Sequence, residues 1–137
     1  MDISQTYIKM CEKAFPDIGE IETISVDFGY IPRLWAIKNG SREAKQYNLF
    51  AQKAKPEGDF FQVYFRDQLQ EMADADWRIS FCDLWDWIEN KQFSEPCWIS
   101  REGCKLYSSV EQLWLAFVMS KKFNKQWDDE KWVTAHP

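Results

Sequence analysis

The chain has 137 residues, of which 17 are lysine or arginine and 22 are aspartate or glutamate, so its formal net charge is -5. Aromatic residues make up 17% of it, including eight tryptophans, and 45% of the residues are apolar. This length indicates one domain, and this apolar fraction is enough to form a core. The acidic balance argues against direct nucleic-acid binding and against an anionic membrane surface, since both need a surplus of lysine and arginine.

Sequence features of several other classes are missing. The longest apolar run, Leu113 to Met119, is shorter than the roughly 20 residues that a membrane span needs. No signal-peptide pattern is visible, so we expect a cytoplasmic protein with reduced cysteines. The one histidine, His136, is next to last, and catalytic triads need an oriented imidazole. No phosphate-binding glycine motif occurs. We therefore expect a non-catalytic protein without a cofactor or metal.

The first half of the chain predicts a helix followed by strands. Residues 4–15 carry apolar side chains at helical spacing, and Pro16 marks the end of this helix. Alternation of apolar and polar residues predicts strands over 22–30 and 33–38. Residues 41–55 are ambiguous, because their composition favours a helix whereas the Asn-Gly turn before them favours a returning strand. We favour the helix.

The middle of the chain predicts further strands and two short helices. Residues 60–65 form a predicted strand, after which Asp67 is suited to cap a short helix. Residues 77–82 alternate and predict another strand, and a helix is predicted to begin at Asp83. A hairpin is expected over 97–107.

The C-terminal part predicts a helix and a closing hairpin. Ser108 and Glu111 match a capping box at the start of a helix of about three turns, which Asn124 can end in the left-handed region. Trp127 and Trp132 flank a predicted tight hairpin. The irregular alternation of helices and strands predicts a single α+β domain with helices packed on an antiparallel sheet.

The negative charge is concentrated in one segment. Between Arg66 and Glu95 there are three basic and eight acidic residues, so this segment carries 3 - 8 = -5, and the 14 acidic and 14 basic residues elsewhere cancel. The segment also contains three tryptophans. One hypothesis is an acidic aromatic face that binds a basic host protein, for example one that handles nucleic acid. The alternative is that the tryptophans are core residues and the acids are solvated. The residues assigned to the face are Trp77, Asp83, Trp85, Asp86 and Glu89.

A second hypothesis is a site for a nucleotide-like small molecule at a subunit boundary. Arg33 and Trp35 lie two apart on a predicted strand, and Trp77 neighbours Arg78. Arginine pairs with phosphate, and tryptophan offers a ring to a base. Arg66, at a strand-to-helix junction, is a further candidate. The alternative is a set of unrelated surface arginines and core tryptophans.

Two other expectations remain. A carboxylate-based enzyme would use Asp83 and Asp86 or residues 128–130, although such clusters are usually caps and turns. The predicted helix at 109–122 is apolar over much of its circumference, so it is either central to the core or a homodimer interface.

Several segments of the chain are typical of one group of proteins. They are YIKMCEKA at 7–14, EGDFF at 57–61, RDQLQEM at 66–72, SVEQLWLAFVM at 109–119 and KQWDDEKWV at 125–133. Together they resemble a family of small proteins encoded in phages and prophages of Gram-positive bacteria, in which the last two form a capped helix and a tryptophan-rich hairpin. Residues 76–107 lack this resemblance. It implies a phage accessory protein in the bacterial cytoplasm, possessing no catalytic residue that can be carried over, whose role we expect to be counteracting antiviral defence.

Overall fold

The computed structural model describes residues 2–21, 33–38, 47–74, 76–90 and 109–134. The helices in these ranges are α1 (Gln5–Ile18), α2 (Arg66–Ala73), α3 (Trp77–Asn90) and α4 (Val110–Phe123). The strands are β1 (Arg33–Lys38), β2 (Tyr47–Gln52), β3 (Phe61–Val63), β4 (Lys125–Trp127) and β5 (Trp132–Thr134). Antiparallel sheets with packed helices confirm the predicted α+β class. The predicted strand at 22–30 and the predicted hairpin at 97–107 lie outside the described residues.

The larger sheet has the strand order β2-β1-β3, and both pairings are antiparallel. In its register, Leu34 lies opposite Ala51 on one side and Val63 on the other. The smaller sheet is the β4-β5 hairpin, in which Trp127 pairs with Trp132. This pairing confirms the predicted closing hairpin. The indole N–H of Trp132 donates to the Met10 carbonyl at 3.0 Å and attaches the hairpin to α1.

Helix α4 forms the centre of the core. It packs against α1, α2, α3 and β4. Its buried side chains are Gln112, Trp114, Leu115, Ala116, Phe117, Val118 and Met119. The apolar residues that suggested a dimer interface are thus mostly buried within one chain, which accounts for them without a second subunit.

The ends of α1 and α4 follow capping chemistry. The Ser4 hydroxyl accepts from the Tyr7 N–H, and α1 continues past Pro16 to Ile18, ending at Gly19 with a positive φ of 74°. Proline lacks the N–H that the helix would use there, but the lost hydrogen bond does not end the helix. The cap of α4 is Ser109, one residue later than predicted, and Asn124 ends the helix in the left-handed conformation as expected. None of the described helices is long and apolar enough to cross a membrane.

The prediction of a helix over 41–55 is wrong for the part that the structure describes. Residues 47–52 form β2, which pairs along all six residues of β1. Tyr47 and Leu49 pack against the core, whereas Asn48 and Phe50 are exposed. This period of two matches a half-buried strand, and the pairing with β1 outweighs a composition that favours helix.

The prediction of a strand over 77–82 is also wrong, since these residues form the first half of α3. The buried positions of α3 are Ser80, Leu84 and Ile88, which are four residues apart. The Ser80 hydroxyl donates to the carbonyls of Gln70 and Asp74 at 2.8 and 2.9 Å, and it thereby joins α3 to the end of α2. These contacts favour helical spacing over alternation.

The predicted cap of α2 is likewise wrong. Asp67 lies in the first turn of this helix and is exposed, while the residue at the N-cap position is Phe65. The Gln68 side chain reaches back and accepts the Phe65 N–H at 2.8 Å. A glutamine at the third helical position therefore accepts the N–H of the N-cap residue, and Asp67 does not act as the cap.

The Asp2 carboxylate joins the N-termini of α1 and α4. It accepts hydrogen bonds from the Ser109 hydroxyl, the Gln112 amide and the Ser4 N–H. Burial acts to raise the pKa of Asp2, but these hydrogen bonds outweigh it and lower the pKa below its ordinary value of 3.8. The carboxylate therefore stabilises the fold at pH values above the pKa that Asp2 has in the unfolded chain. This contribution is lost as the pH falls through the lower pKa that Asp2 has in the folded protein.

We expect Asp2→Asn to lower the free energy of unfolding at pH 7 by about 1 kcal/mol or less, because the carboxylate is partly exposed and water screens it. The difference between wild type and variant is expected to shrink at pH 2.5. Urea unfolding at the two pH values measures it. A difference of equal size at both pH values would contradict the role of the charge.

Candidate functional site

The candidate site lies on α3, which has both buried and exposed side chains. The side towards the core buries Ser80, Leu84 and Ile88. Outside this buried stripe, Ile79, Phe81 and Trp85 have 47%, 48% and 47% of their surfaces exposed. Cys82 and Asp86 are exposed as well. These five exposed residues (Ile79, Phe81, Cys82, Trp85 and Asp86) are called the α3 face below.

The α3 face concentrates the exposed apolar surface of the described residues. Six large apolar side chains in these ranges are exposed, and Ile79, Phe81 and Trp85 are three of them. The other three are dispersed, with Ile3 before α1, Phe50 on β2 and Val110 at the start of α4. Grouped exposed apolar residues are typical of interaction sites, whereas single ones are ordinary.

The two aromatic residues of the face are one helical turn apart. Positions i and i+4 of a helix are neighbours, so Phe81 and Trp85 lie side by side. The Phe81 ring packs edge-on against the buried Trp114 ring of α4, with centroids 5.3 Å apart and planes at 86°. Core packing therefore positions Phe81, although half of its surface is exposed.

The acids of α3 have different surroundings. Asp86 is exposed. Asp83, in contrast, accepts a hydrogen bond at 2.7 Å from Lys121, which also donates to the Ala73 carbonyl at 3.1 Å. Asp83 therefore helps to hold α2, α3 and α4 together. The side chain of Glu89 lies outside what the structure describes. The whole helix has one arginine and three acids, a net charge of 1 - 3 = -2.

The tryptophans of the acidic segment divide between core and surface. The indole N–H of Trp87 donates to the Ser120 hydroxyl at 3.1 Å, and its ring lies 5.5 Å from that of Phe117. Trp87 thus belongs to the contact between α3 and α4, whereas Trp85 is half exposed. The backbone of Trp77 starts α3, but its side chain is outside the described set.

Arg33 and Trp35 are close together, but both are engaged in the fold. Trp35 is fully buried and its indole N–H donates to the Gln52 carbonyl at 3.3 Å. The Arg33 guanidinium donates to the Glu20 carboxylate and to the Lys53 carbonyl, and it lies 5.6 Å from the Trp35 ring centroid. These groups join the sheet to the chain that follows α1. The pair offers neither a free ring nor a free guanidinium to a nucleotide.

The remaining arginines do not complete such a site. Arg66 starts α2 and lies 4.0 Å from the Asp67 carboxylate, with half of its side chain exposed. Arg78 is in the first turn of α3 and lies 3.5 Å from Asp76. The nucleotide hypothesis therefore has no geometric support among these residues. In the ranges described above, no group of three or more potential ligands is arranged to hold a metal ion.

Sequence reasoning placed Trp85 and Asp86 in the site but missed three members of the α3 face. Ile79, Phe81 and Cys82 were assigned to a strand. The signal that could have found them is the spacing of Ser80, Leu84 and Ile88, which defines the buried stripe of a helix and leaves the other three outside it.

Comparison with other proteins adds no relative to this description. No protein-family model matches the chain, and no curated protein or solved structure is significantly similar to it.

The α3 face contains a thiol whose accessibility can be measured against a buried one. Cys11 is fully buried in the core, and burial raises its pKa to about 12, so roughly one in 10,000 of these thiols is ionised at pH 8. Cys82 is exposed. We expect iodoacetamide to alkylate Cys82 in the native protein at least about 100-fold faster than Cys11.

Peptide mass spectrometry after timed quenching measures the two rates. In urea, Cys11 is expected to react as fast as Cys82, which serves as the control. Alkylation of Cys11 at the rate of Cys82 in the native protein would show that Cys11 is not buried in the core beside α1. Cys97 and Cys104 lie outside the described residues and fall in other peptides.

Proposed function

We propose that this protein is a non-catalytic binding protein that uses the α3 face to engage a basic partner protein. The observation that carries the proposal is the grouping of half-exposed Ile79, Phe81 and Trp85 on one helix beside the exposed Asp86. The surrounding segment carries the whole net charge of the chain.

The two properties of the face have different roles in binding. Aromatic side chains at the centre of an interface supply most of the affinity, because they bury a large area with little loss of conformational entropy. Acidic residues supply the choice of partner and increase the association rate with a positively charged surface. Trp85 and Phe81 fill the first role, and Asp86 with the surrounding acids fills the second.

Charge decides which occupant fits. Two copies of the chain meeting through α3 would each bring a net charge of -2 to the contact, and like charges in an interface are unfavourable. A nucleic acid would be repelled by the same acids. A basic protein satisfies both the apolar and the charged parts of the face.

The resemblance to phage-encoded proteins supplies the setting of the proposal. We place the protein in the bacterial cytoplasm, where its partner is a host protein with a basic surface of the kind used to hold nucleic acid. By covering that surface, the protein would counteract antiviral defence. This part rests on the resemblance, whereas the binding mode rests on the α3 face.

The test is a capture experiment with matched baits. Wild type, the double variant Trp85→Ala/Asp86→Lys and the control Phe50→Ala are immobilised and exposed to a lysate of a Gram-positive bacterium. Phe50 is an exposed aromatic residue on β2, where it lies opposite Trp35 of β1. We expect a protein with an isoelectric point above about 9 to be retained by wild type and control, lost with the double variant and eluted by moderate salt.

Retention that does not differ between wild type and the double variant would contradict the proposal. So would a specifically retained protein that is acidic, or one whose retention is insensitive to salt. Thermal unfolding of each bait, measured beforehand, confirms that all of them are folded.

A further inference from the structure

We infer that Lys121 of α4 is a positioning residue for the α3 face, because its ammonium group holds the middle of α3 against the end of α2. This inference rests on the proposed function, since it concerns the residue that keeps the binding surface in place. Lys121 is not part of the face, but it binds Asp83, which lies between Phe81 and Trp85 in the sequence.

The ammonium group of Lys121 contacts three helices. Lys121 belongs to the last turn of α4. Its Nζ donates to the Asp83 carboxylate of α3 at 2.7 Å and to the carbonyl of Ala73, the last residue of α2, at 3.1 Å. It also lies 5.7 Å from the Phe117 ring centroid, so the charge rests against an aromatic ring of its own helix. Loss of this group would therefore release α2 and α3 from α4 at the same point.

The end of α2 depends on donors from other helices. The last carbonyls of a helix have no N–H partner within that helix, and the last turn of α2 has no basic residue. The Ser80 hydroxyl of α3 and the Lys121 ammonium of α4 donate to two of these carbonyls. Ser80 comes directly before Phe81, and Asp83 follows two residues after it. The two contacts thus fix α3 on both sides of Phe81, a half-exposed residue of the face.

A second ion pair in the chain provides a matched comparison. Lys125, at the start of β4, binds the Asp17 carboxylate of α1 at 2.6 Å. All four side chains of the two pairs are partly exposed. The pairs are alike in length and chemistry, but the Lys125 pair joins β4 to α1, whereas the Lys121 pair joins α4 to α3.

The test is hydrogen exchange of the backbone amides in the full chain, read by mass spectrometry, for wild type, Lys121→Met and Lys125→Met. Methionine keeps an unbranched apolar side chain but has no charge. In Lys121→Met we expect the α3 amides to exchange at least about 3-fold faster than in wild type, while the α1 amides change by less than about 2-fold. In Lys125→Met we expect the α3 amides to stay within about 2-fold of wild type.

Affinity for the basic protein retained in the capture experiment is the second measurement. Surface plasmon resonance is carried out at a temperature at which all three proteins are folded. We expect Lys121→Met to weaken binding by at least about 3-fold, because the partner would have to order α3, and Lys125→Met to weaken it by less than about 2-fold. A residue that contributes to stability alone would leave this affinity unchanged.

Exchange that rises equally in α3 and α1 of Lys121→Met would overturn the inference, since it would indicate a loss of overall stability and not a release of α3. Equal exchange of α3 in Lys121→Met and Lys125→Met would overturn it too. So would a selective increase in α3 that leaves the affinity unchanged. If the capture experiment retains no basic protein, the proposed function fails, and hydrogen exchange by itself decides whether Lys121 holds α3.

Discussion

We expect Gln62→Leu to lower the free energy of unfolding by about 2 to 4 kcal/mol. The Gln62 side chain is fully buried. Its amide accepts the Ile21 N–H at 2.8 Å and donates to the Ile21 carbonyl at 2.9 Å, as a neighbouring strand would. Leucine has a similar size but no polar atoms, so the Ile21 N–H would lose this partner, whereas the Ile21 carbonyl would keep only the longer hydrogen bond from Gln68. An unpaired buried backbone group costs about 1 to 3 kcal/mol.

The effect is expected to be large because Gln62 belongs to a connected network. The Gln68 amide donates to the Ile21 carbonyl at 3.3 Å while it accepts the Phe65 N–H. The Tyr64 hydroxyl donates to the Gly19 carbonyl at 2.8 Å. Together these side chains attach the end of α1 to β3 and α2, and buried networks of this kind lose more than one bond when one member is removed.

Urea unfolding followed by circular dichroism measures the change in midpoint and slope. The matched control is Gln52→Leu, because the Gln52 side chain is exposed on β2. We expect the control to change stability by about 0.5 kcal/mol or less. If Gln62→Leu changes stability no more than Gln52→Leu, the hydrogen bonds between Gln62 and Ile21 do not stabilise the fold.

The second large effect is expected on binding. Trp85→Ala is expected to weaken the affinity for the captured basic protein by at least about 30-fold, which corresponds to about 2 kcal/mol, the usual threshold for a central interface residue. Trp85 is half exposed, so the same change is expected to alter the free energy of unfolding by about 1 kcal/mol or less. The separation of the two effects distinguishes an interface residue from a core residue.

Asp86→Lys is the companion variant, because it changes the charge of the face and leaves its apolar residues in place. We expect it to slow association and to reduce the dependence of binding on salt. Asp83 is unsuitable for this purpose, since its contact with Lys121 makes charge reversal there a change in stability as well. Surface plasmon resonance at two salt concentrations measures both rates, with Phe50→Ala as control.

Loss of binding in Phe50→Ala to the same extent as in Trp85→Ala would place the interface elsewhere. Unfolding of Trp85→Ala at the assay temperature would assign this residue to the core. In either case the α3 face would no longer be the binding surface.

The parts of the fold that were predicted correctly have strong local signals. Strand β1 is followed by the Asn-Gly turn signal, α4 combines a nearby serine cap with Asn124 at its end, and the closing hairpin has Trp127 opposite Trp132. Local chemistry decides such elements because each signal lies within a few residues of the structure that it predicts.

The wrong predictions concern short segments with ambiguous patterns. Residues 47–52 have a composition that favours helix but pair with β1, and residues 77–82 alternate like a strand but form a helix. In both cases the outcome depends on contacts outside the segment itself, namely pairing with β1 for one and packing on α2 and α4 for the other. Intrinsic propensity is too weak to resist such contacts.

Some features of the candidate site can also be predicted from the sequence, whereas others depend on tertiary packing. The sequence alone determined that the net charge lies in one aromatic-rich segment, because charge and composition can be counted along the chain. Only the tertiary structure decided that Trp87 packs inwards while Trp85 and Phe81 remain half exposed, and that Arg33 and Trp35 are bonded within the fold. Exposure and pairing depend on which neighbours surround a side chain, and those neighbours are brought together by packing between elements that are distant in the sequence.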